Sequence, residues 1–348
     1  MHKYLLYISE DYSFKILRPL QEEILKRGGQ AKWFVEGNNV NTNYFKEDEM
    51  VLSNVKDVIK YKPDVVLAPG NFVPSFIPGI KVKVFHGFLS NKRRKKDNVI
   101  YHFIIRDCFD VYCTQGPSST LPFLELEKKH KTFEVIETGY CMMDPYFKGE
   151  KRKKQVNERP IVLFSSTFSP RMTKAPVLLE TIKKLSQNKK WQWLVTFHPK
   201  MDKSIVDAYK AIQHDNLTFI ETDNLVPYME KADVMLADFS SMITEFILLN
   251  KPVVTFQNYN DMPYVLNVTK EEDIEKTIEK ALTYPEEMMI EIKKFSDFTH
   301  PYTDGKSSTR LIDALEEKLN KNNFVDKKPL NIIRNLKARK ELSYWSFN

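Results

Sequence analysis

Two histidines in this 348-residue chain stand where a parallel-sheet protein places reactive groups. His86 follows the apolar run 82–85 and is followed by Gly87, while His198 follows 193–197 and is followed by Pro199. An imidazole can take a proton from a hydroxyl near neutral pH or, when protonated, steady a phosphate oxygen. A single histidine at a strand end is ordinarily a satisfied polar residue; one in each half of the chain, each fixed by Gly or Pro, points to chemistry. A second group is hydroxylic. The run 234–237 breaks into Asp238-Phe239-Ser240-Ser241 and then an amphipathic stretch, 242–249. A strand, two serines and a helix present hydroxyls and free backbone N–H groups to an anion, although the same order describes a capped helix. Ser165-Ser166-Thr167-Phe168-Ser169-Pro170-Arg171 repeats the arrangement, as a capping loop or as a second wall of a phosphate or sugar pocket. Asp304-Gly305-Lys306-Ser307-Ser308 places small hydroxylated residues ahead of a third helix.

Several chemistries are excluded. The chain has no G-x-x-x-x-G-K-[ST] loop, no G-x-G-x-x-G fingerprint, no G-x-S-x-G elbow and no H-E-x-x-H pair. It also lacks an Asp-x-Asp pair to hold a divalent ion beneath a diphosphate. Charge on a leaving group must then be met by helix N-termini, hydroxyls and histidine, so the enzyme reading is a metal-independent transferase without a cofactor.

The elements that must position these residues alternate between β-type runs and helical patterns, which argues for α/β architecture with helix-covered parallel sheets. Strands are expected at 4–8, 31–35, 65–68, 82–85, 111–114 and 134–137, then at 161–164, 193–197, 217–220, 234–237 and 253–256. Helices are expected at 16–26, 175–185, 204–212, 242–249, 271–282, 286–295 and 307–320. Ligands of open α/β sheets bind beyond the carboxyl ends of strands, where both histidines and the serines fall. The charged stretch 148–160 interrupts the periodicity. The expected organisation is therefore a domain over 1–150, a linker over 151–160, a second domain over 161–320 and a tail over 321–348.

With 42% hydrophobic and 28% charged residues the composition is that of a soluble globular protein. No run approaches the roughly 18 apolar residues that would cross a bilayer, and residues 4–8 are too short for a secretory leader. The chain is expected to start near Met1 and to work in the cytoplasm, a reducing compartment consistent with three cysteines (Cys108, Cys113, Cys141) lacking a C-x-x-C pair. The net charge of +7 is concentrated in Lys92-Arg93-Arg94-Lys95-Lys96. Such a block is a solvated loop or a contact for an anionic partner: a phosphorylated glycan or an acidic lipid surface. No nucleic-acid-binding signature accompanies it, so no nucleic acid partner is expected. The tail interleaves Arg334, Lys337, Arg339 and Lys340 with Ile333, Leu336 and Leu342 before Tyr344 and Trp345. It either lies in a membrane interface or packs back on the first domain.

Taken in order, His86-Gly87, Phe164-Ser165-Ser166-Thr167-Phe168, Phe197-His198-Pro199, Asp238-Phe239-Ser240-Ser241 with Glu245-Phe246, Lys251-Pro252-Val253 and Asp304-Gly305-x-Ser307 resemble the CDP-glycerol glycerophosphotransferase family. Thr138-Gly139-Tyr140 with Asp144 matches a further family segment, and the likeness spans about residues 80–315. It implies a GT-B-like fold, two Rossmann-like domains with parallel sheets facing a central cleft. It also implies transfer of a glycerol or ribitol phosphate from a CDP-polyol donor to a hydroxyl of a phosphorylated or lipid-linked glycan acceptor, as in teichoic acid or capsule polymers, with release of CMP. By position, His86 would deprotonate the acceptor and His198 would meet the donor pyrophosphate. Ser165, Ser166, Thr167, Arg171, Asp238, Ser240, Ser241, Glu245, Asp304, Gly305 and Ser307 would form the donor and phosphate site, and Lys92–Lys96 the acceptor or anionic-surface side. A cytoplasmic enzyme at the inner face of the membrane follows. The chain departs from the family pattern at Phe88, Thr196 and Phe239, which leaves donor and acceptor open. A GT-B glycosyltransferase using a CMP- or UDP-linked sugar and a non-catalytic nucleotide- or glycan-binding partner are the other readings.

Overall fold

Short β-branched runs build two wholly parallel sheets in a computed structural model that describes residues 1–90, 93–148, 158–222, 224–260, 262–321, 328–329 and 331–346. The first sheet contains β1 (Lys3–Ile8), β2 (Gln30–Val35), β3 (Val51–Leu52), β4 (Val65–Ala68), β5 (Ile80–Lys83), β6 (Val111–Thr114) and β7 (Glu134–Glu137), in the order β3-β2-β1-β4-β5-β6-β7. The second contains β8 (Ile161–Ser166), β9 (Gln192–Phe197), β10 (Leu217–Phe219), β11 (Val234–Ala237), β12 (Val253–Phe256) and β13 (Leu266–Val268), in the order β10-β9-β8-β11-β12-β13. Numbered within itself, the second sheet runs 3-2-1-4-5-6, and the first runs identically with one strand added. This is the doubly wound Rossmann order, in which the strand order reverses beside the first strand and leaves a crevice at the carboxyl edge. The switch points lie between β1 and β4 and between β8 and β11.

A parallel sheet must be covered on both faces, which is why these strands read as nearly continuous apolar runs. Leu5, Leu6, Val65, Val66 and Leu67 are fully buried in one sheet, and Val162, Leu163, Phe164, Val234 and Leu236 in the other. The helix Ser13–Lys26 returns the chain from β1 to β2, with Phe14, Ile16, Leu17, Leu20 and Ile24 buried on its inner face. Ala175–Gln187 does the same between β8 and β9.

The chain divides into Met1–Lys148 with Phe298–Asn348 and Gly149–Asp297. The expectation of a second domain running to 320 is thereby corrected, because residues from Phe298 onward return to the first unit. Asp144 explains the fastening. Its buried carboxylate accepts the Ser307 and Ser308 N–H groups at 2.8 and 2.7 Å, satisfying two donors at the start of the helix Ser307–Lys321. His300 Nε2 accepts the Tyr140 N–H at 2.9 Å. Gly116 lets the returning strand of chain pass, since a Cβ there would lie 2.5 Å from the Thr299 carbonyl. Residues 151–157 of the expected linker lie outside the described residues. The tail helix Ile332–Glu341 also belongs to the first unit: the Arg339 guanidinium lies 4.7 Å from the Phe76 ring centre, Tyr344 lies tilted against the same ring at 5.3 Å, and Leu342 and Tyr344, partly buried, pack against the core. Its outer side keeps Ile332, Ile333 and Leu336 exposed, as is Trp345 beyond its end.

Replacing Asp144 with Ala orphans two N–H groups inside the first unit. Asp144→Ala is expected to lower unfolding stability by about 1–3 kcal/mol, read as a reduced urea midpoint with unchanged far-UV circular dichroism in the native baseline. An unchanged midpoint would show that water replaces the carboxylate at no cost.

Candidate active site

His86 owes its place to an early strand end. Expected to run to 85, β5 stops at Lys83, because Phe85 takes a left-handed conformation (φ +60°). That turn buries the Phe85 ring against His102, with centroids 4.8 Å apart, and delivers His86 to the carboxyl edge near the switch point. His86 Nδ1 lies 3.3 Å from the Pro69 carbonyl that follows β4, and Tyr12, from the loop after β1, covers the ring at 5.3 Å. A carbonyl can only accept, so Nδ1 carries the proton and Nε2 keeps its lone pair. Crowding by surrounding chain, then the Lys83 charge, hold the His86 pKa below its ordinary value against an upward pull from the Pro69 carbonyl, with the Arg106 charge adding a lesser downward contribution. The neutral ring is therefore favoured at neutral pH, as a proton acceptor requires. The following residues are fixed as well: Gln115 Nε2 donates to the Gly87 carbonyl at 2.9 Å, and Phe88 meets Tyr140 edge-on at 5.1 Å.

In the second unit the loops after β8 and β11 are tied by one buried carboxylate. Asp238 accepts hydrogen bonds from Ser166 Oγ, from the Thr167 and Lys174 N–H groups at 2.8 Å each, and from the Phe239 N–H. Asn258 Nδ2 donates to the Asp238 carbonyl at 2.6 Å, and Ser166 Oγ also pairs with Thr173 Oγ1 at 2.8 Å. Asp238 and Ser166 are thus internal braces, not ligands open to a phosphate. The groups they present are Thr167, the exposed Arg171, Ser240 and Ser241. Ser165 Oγ and Ser240 Oγ lie 3.1 Å apart across the switch point. Ser241 is exposed at the start of Met242–Leu248 and makes no side-chain cap, whereas Glu245 is buried within that helix.

His198 is exposed beyond β9. Its Nδ1 accepts the Lys200 N–H at 3.0 Å, so the neutral ring carries its proton on Nε2, and Phe168 lies against it with centroids 4.4 Å apart. The structure thus gathers His198, Ser165, Thr167, Arg171, Ser240 and Ser241 at the carboxyl edge of one sheet, and His86 at that of the other.

The turn from Asp304 to Ser307 is not part of the second unit, which carries the other donor candidates. It lies in the first unit, Asp304 is paired with Arg310 at 2.8 Å, and the helix N–H groups it would offer are held by Asp144. Gly305 is glycine for a packing reason: its φ is +65° and a Cβ would lie 2.9 Å from the Phe147 and Lys148 backbone. In the basic block, Lys92 lies outside the described residues. Arg93 and Arg94 are engaged in a tight turn, through the Asn98 carbonyl and Asp97 respectively, while Lys95 and Lys96 are exposed. A cavity of about 440 Å³ between Lys81, Asp110 and Arg334 opens at the amino edge of the first sheet, away from His86. Lys83, Asn71, Thr173 and Asn258 escaped the sequence reading, being ordinary polar residues that act only through folded neighbours.

Two Rossmann-like units with polar residues collected at their carboxyl edges define a GT-B-like α/β protein. The chain belongs to the UDP-N-acetylglucosamine 2-epimerase family, whose model matches residues 125–316. Its curated relatives bear out the resemblance to the CDP-glycerol glycerophosphotransferase family. The teichoic acid glycerol-phosphate primase of Bacillus subtilis is 24% identical over 244 residues, covering 66% of this chain and 63% of the primase. The teichoic acid poly(ribitol-phosphate) polymerase of Bacillus spizizenii is 26% identical over 210 residues, covering 52% of this chain and 33% of the polymerase. The chain therefore spans less than two thirds of either relative. Among solved structures, the S. aureus MnaA–UDP co-structure aligns with a TM-score of 0.63 at 17% identity, over 92% of this chain and 97% of that one. The wall teichoic acid polymerase TagF aligns with a TM-score of 0.64 at 13% identity, over 92% and 89%. At these identities both show the fold.

An amide at position 238 would turn an N–H donor toward other donors. Asp238→Asn is expected to lower stability by about 1–3 kcal/mol and to weaken CMP binding in calorimetric titration, because the loops carrying Thr167 and Ser240 lose their brace. Wild-type values of both would remove the carboxylate from that role.

Proposed function

We propose that the chain transfers a polyol phosphate from a CDP-polyol to a hydroxyl of a surface-polymer acceptor, releasing CMP. The observation that carries this reading is His86, neutral at the strand edge with Nε2 bare, in a chain whose curated relatives are a teichoic acid primase and a teichoic acid polymerase. In the proposed step the acceptor oxygen attacks the phosphorus that bears the polyol, and His86 Nε2 takes the hydroxyl proton. The bond from that phosphorus to the bridging oxygen breaks, and CMP leaves with the oxygen. The His198 Nε2–H, Arg171, Thr167, Ser240 and Ser241 donate to the diphosphate, meeting charge that develops on the leaving group. Ser165 steadies Ser240, and Asp238 with Ser166 holds the loops in place. A phosphorylated or lipid-linked glycan is the proposed acceptor, with Lys95 and Lys96 on its anionic side.

A second reading comes from the matched family model: epimerisation of a UDP-linked sugar, which leaves the nucleotide attached. The assay separates the two. Incubation with CDP-glycerol or CDP-ribitol and a phosphorylated glycan should release CMP and lengthen the glycan. Interconversion of UDP-N-acetylglucosamine with its C2 epimer, without CMP release from either donor, would replace the first reading with the second.

If His86 is the base, His86→Ala lowers kcat by about 10²–10⁴-fold while CMP affinity is retained; wild-type turnover in the folded variant excludes it. The sign of its pKa shift sets a further expectation. The base is active when neutral, and its folded pKa is lowered, so kcat/KM should fall only below the ordinary histidine value of about 6.5. An acid limb centred above that value would assign the limb to another group.

Among the described residues no helix is long and apolar enough to cross a membrane. Attachment at an anionic surface is proposed through the outer side of the tail helix, where the exposed Ile333 and Leu336 accompany Lys337 and Lys340. Co-sedimentation with acidic vesicles should exceed that with neutral ones and decline with salt. Equal recovery in the supernatant under all conditions would remove the membrane from the scheme.

A further inference from the structure

The Pro69 carbonyl serves two donors. His86 Nδ1 lies 3.3 Å from it, and Lys83 Nζ lies 2.6 Å from it. Lys83 also donates to the Gly70 carbonyl at 2.5 Å and to Asn71 Oδ1 at 3.1 Å. Three acceptors match the three hydrogens of an ammonium. The side chain is buried in β5, a central strand, and among the described residues none of its partners is a carboxylate. Phe85 and Phe109 present their rings at 5.5 and 5.6 Å, adding a cation–π contribution. A buried cation without a counter-ion is costly. Here its hydrogen bonds converge on the loop that orients His86.

We propose that Lys83 is a positioning residue for His86: its ammonium grips the loop from Pro69 to Asn71, and through the shared carbonyl it fixes the ring with Nδ1 protonated and Nε2 bare. The role in turnover rests on the reading of His86 as the base. Two effects act in one direction. Like charge opposes protonation of the ring, and a carbonyl already committed to an ammonium is a weaker acceptor for an imidazolium N–H.

The other groups facing the ring allow this effect to be read. Tyr12 covers it from the loop after β1, and burial pushes that hydroxyl up to about 12. His102, between β5 and β6, is brought down to about 4 by burial and by the Lys83 and His86 charges. Arg106, on the same segment, stays cationic. Lys83 itself is brought down to about 7 by burial and by Arg106. Where His86 gains its proton, below its ordinary value, Lys83 and Arg106 are charged and Tyr12 and His102 are neutral.

The test is a nitrogen-15 NMR titration of the histidine rings in the full chain, with His86→Ala as the assignment control. In the wild type the neutral His86 ring should be the Nδ1–H tautomer with a midpoint below the ordinary histidine value. In Lys83→Met the midpoint should move up toward that value and the tautomer preference should weaken, and the acid limb of kcat/KM should move up with it. The kcat should fall by about 10–100-fold, with the donor KM unchanged. Lys83→Gln keeps a donor for Pro69 without the charge; it should show the raised midpoint with the tautomer retained, and it supplies the test if Lys83→Met does not fold. An Nε2–H tautomer in the wild type, or an unmoved midpoint in a folded Lys83 variant, overturns the proposal. The titration reads the ring directly, so it decides the role of Lys83 even if wild-type turnover in His86→Ala removes His86 from the chemistry.

Discussion

Both sheets are wholly parallel, so every connection must cross beneath a face and every strand delivers its carboxyl end to the same edge. The loops at that edge start with backbone groups that no neighbouring strand can satisfy. Each unit meets this constraint with one buried charge. In the first, the Lys83 cation gathers the carbonyls of the loop after β4; in the second, the Asp238 anion gathers the N–H groups of the loops after β8 and β11. The signs follow from what the loops leave over, since excess carbonyls call for a cation and excess N–H groups for an anion. Asp238 follows β11 at one switch point and Lys83 reaches from β5 to the loop after β4 at the other, where the crevice in the strand order leaves room for a ligand.

The two histidines show how much a single backbone group can decide. His86 faces a carbonyl through Nδ1 and is left with a lone pair on Nε2; His198 faces an N–H through Nδ1 and is left with a proton on Nε2. The same side chain is set up to accept a proton in one unit and to donate a hydrogen bond in the other. Neither assignment needs a carboxylate partner, in keeping with a chain whose two most deeply buried carboxylates among the described residues, Asp144 and Asp238, are consumed in holding backbone.

Strand and helix positions were legible where apolar runs were continuous. β4, β6, β7, β11 and β12 fall on the expected residues, and most other boundaries moved by one or two. The misses have physical causes. β3 has only two residues at a sheet edge, too few to show a pattern. The helix Pro117–His130 carries Pro117 and Pro122 and buries only Ser119 and Phe123, so its amphipathic signal is faint. Alternation of Ile80, Lys81, Val82 and Lys83 resembles a strand with one wet face, which concealed that Lys83 is buried; its place between two covered strands was the signal available. Both histidines and the serine-rich turns could be read at strand ends. The Asp304–Ser307 turn looked equivalent to them by composition, and only its tertiary partner, Asp144, shows that it is a fastening.

The route of the chain bears on how the protein is made. Because Gly149–Asp297 is inserted in sequence within the first unit, vectorial synthesis presents the pieces out of structural order. At roughly 5–20 residues per second, about 10–40 s elapse between the emergence of the first unit's strands and that of its closing helices. During that interval the inserted unit can complete its own sheet, while the seven-stranded sheet waits with Tyr140 and the Asp144 carboxylate still uncovered. The segment from Phe298 onward acts as a latch, closing over groups that the earlier residues of the first unit leave open.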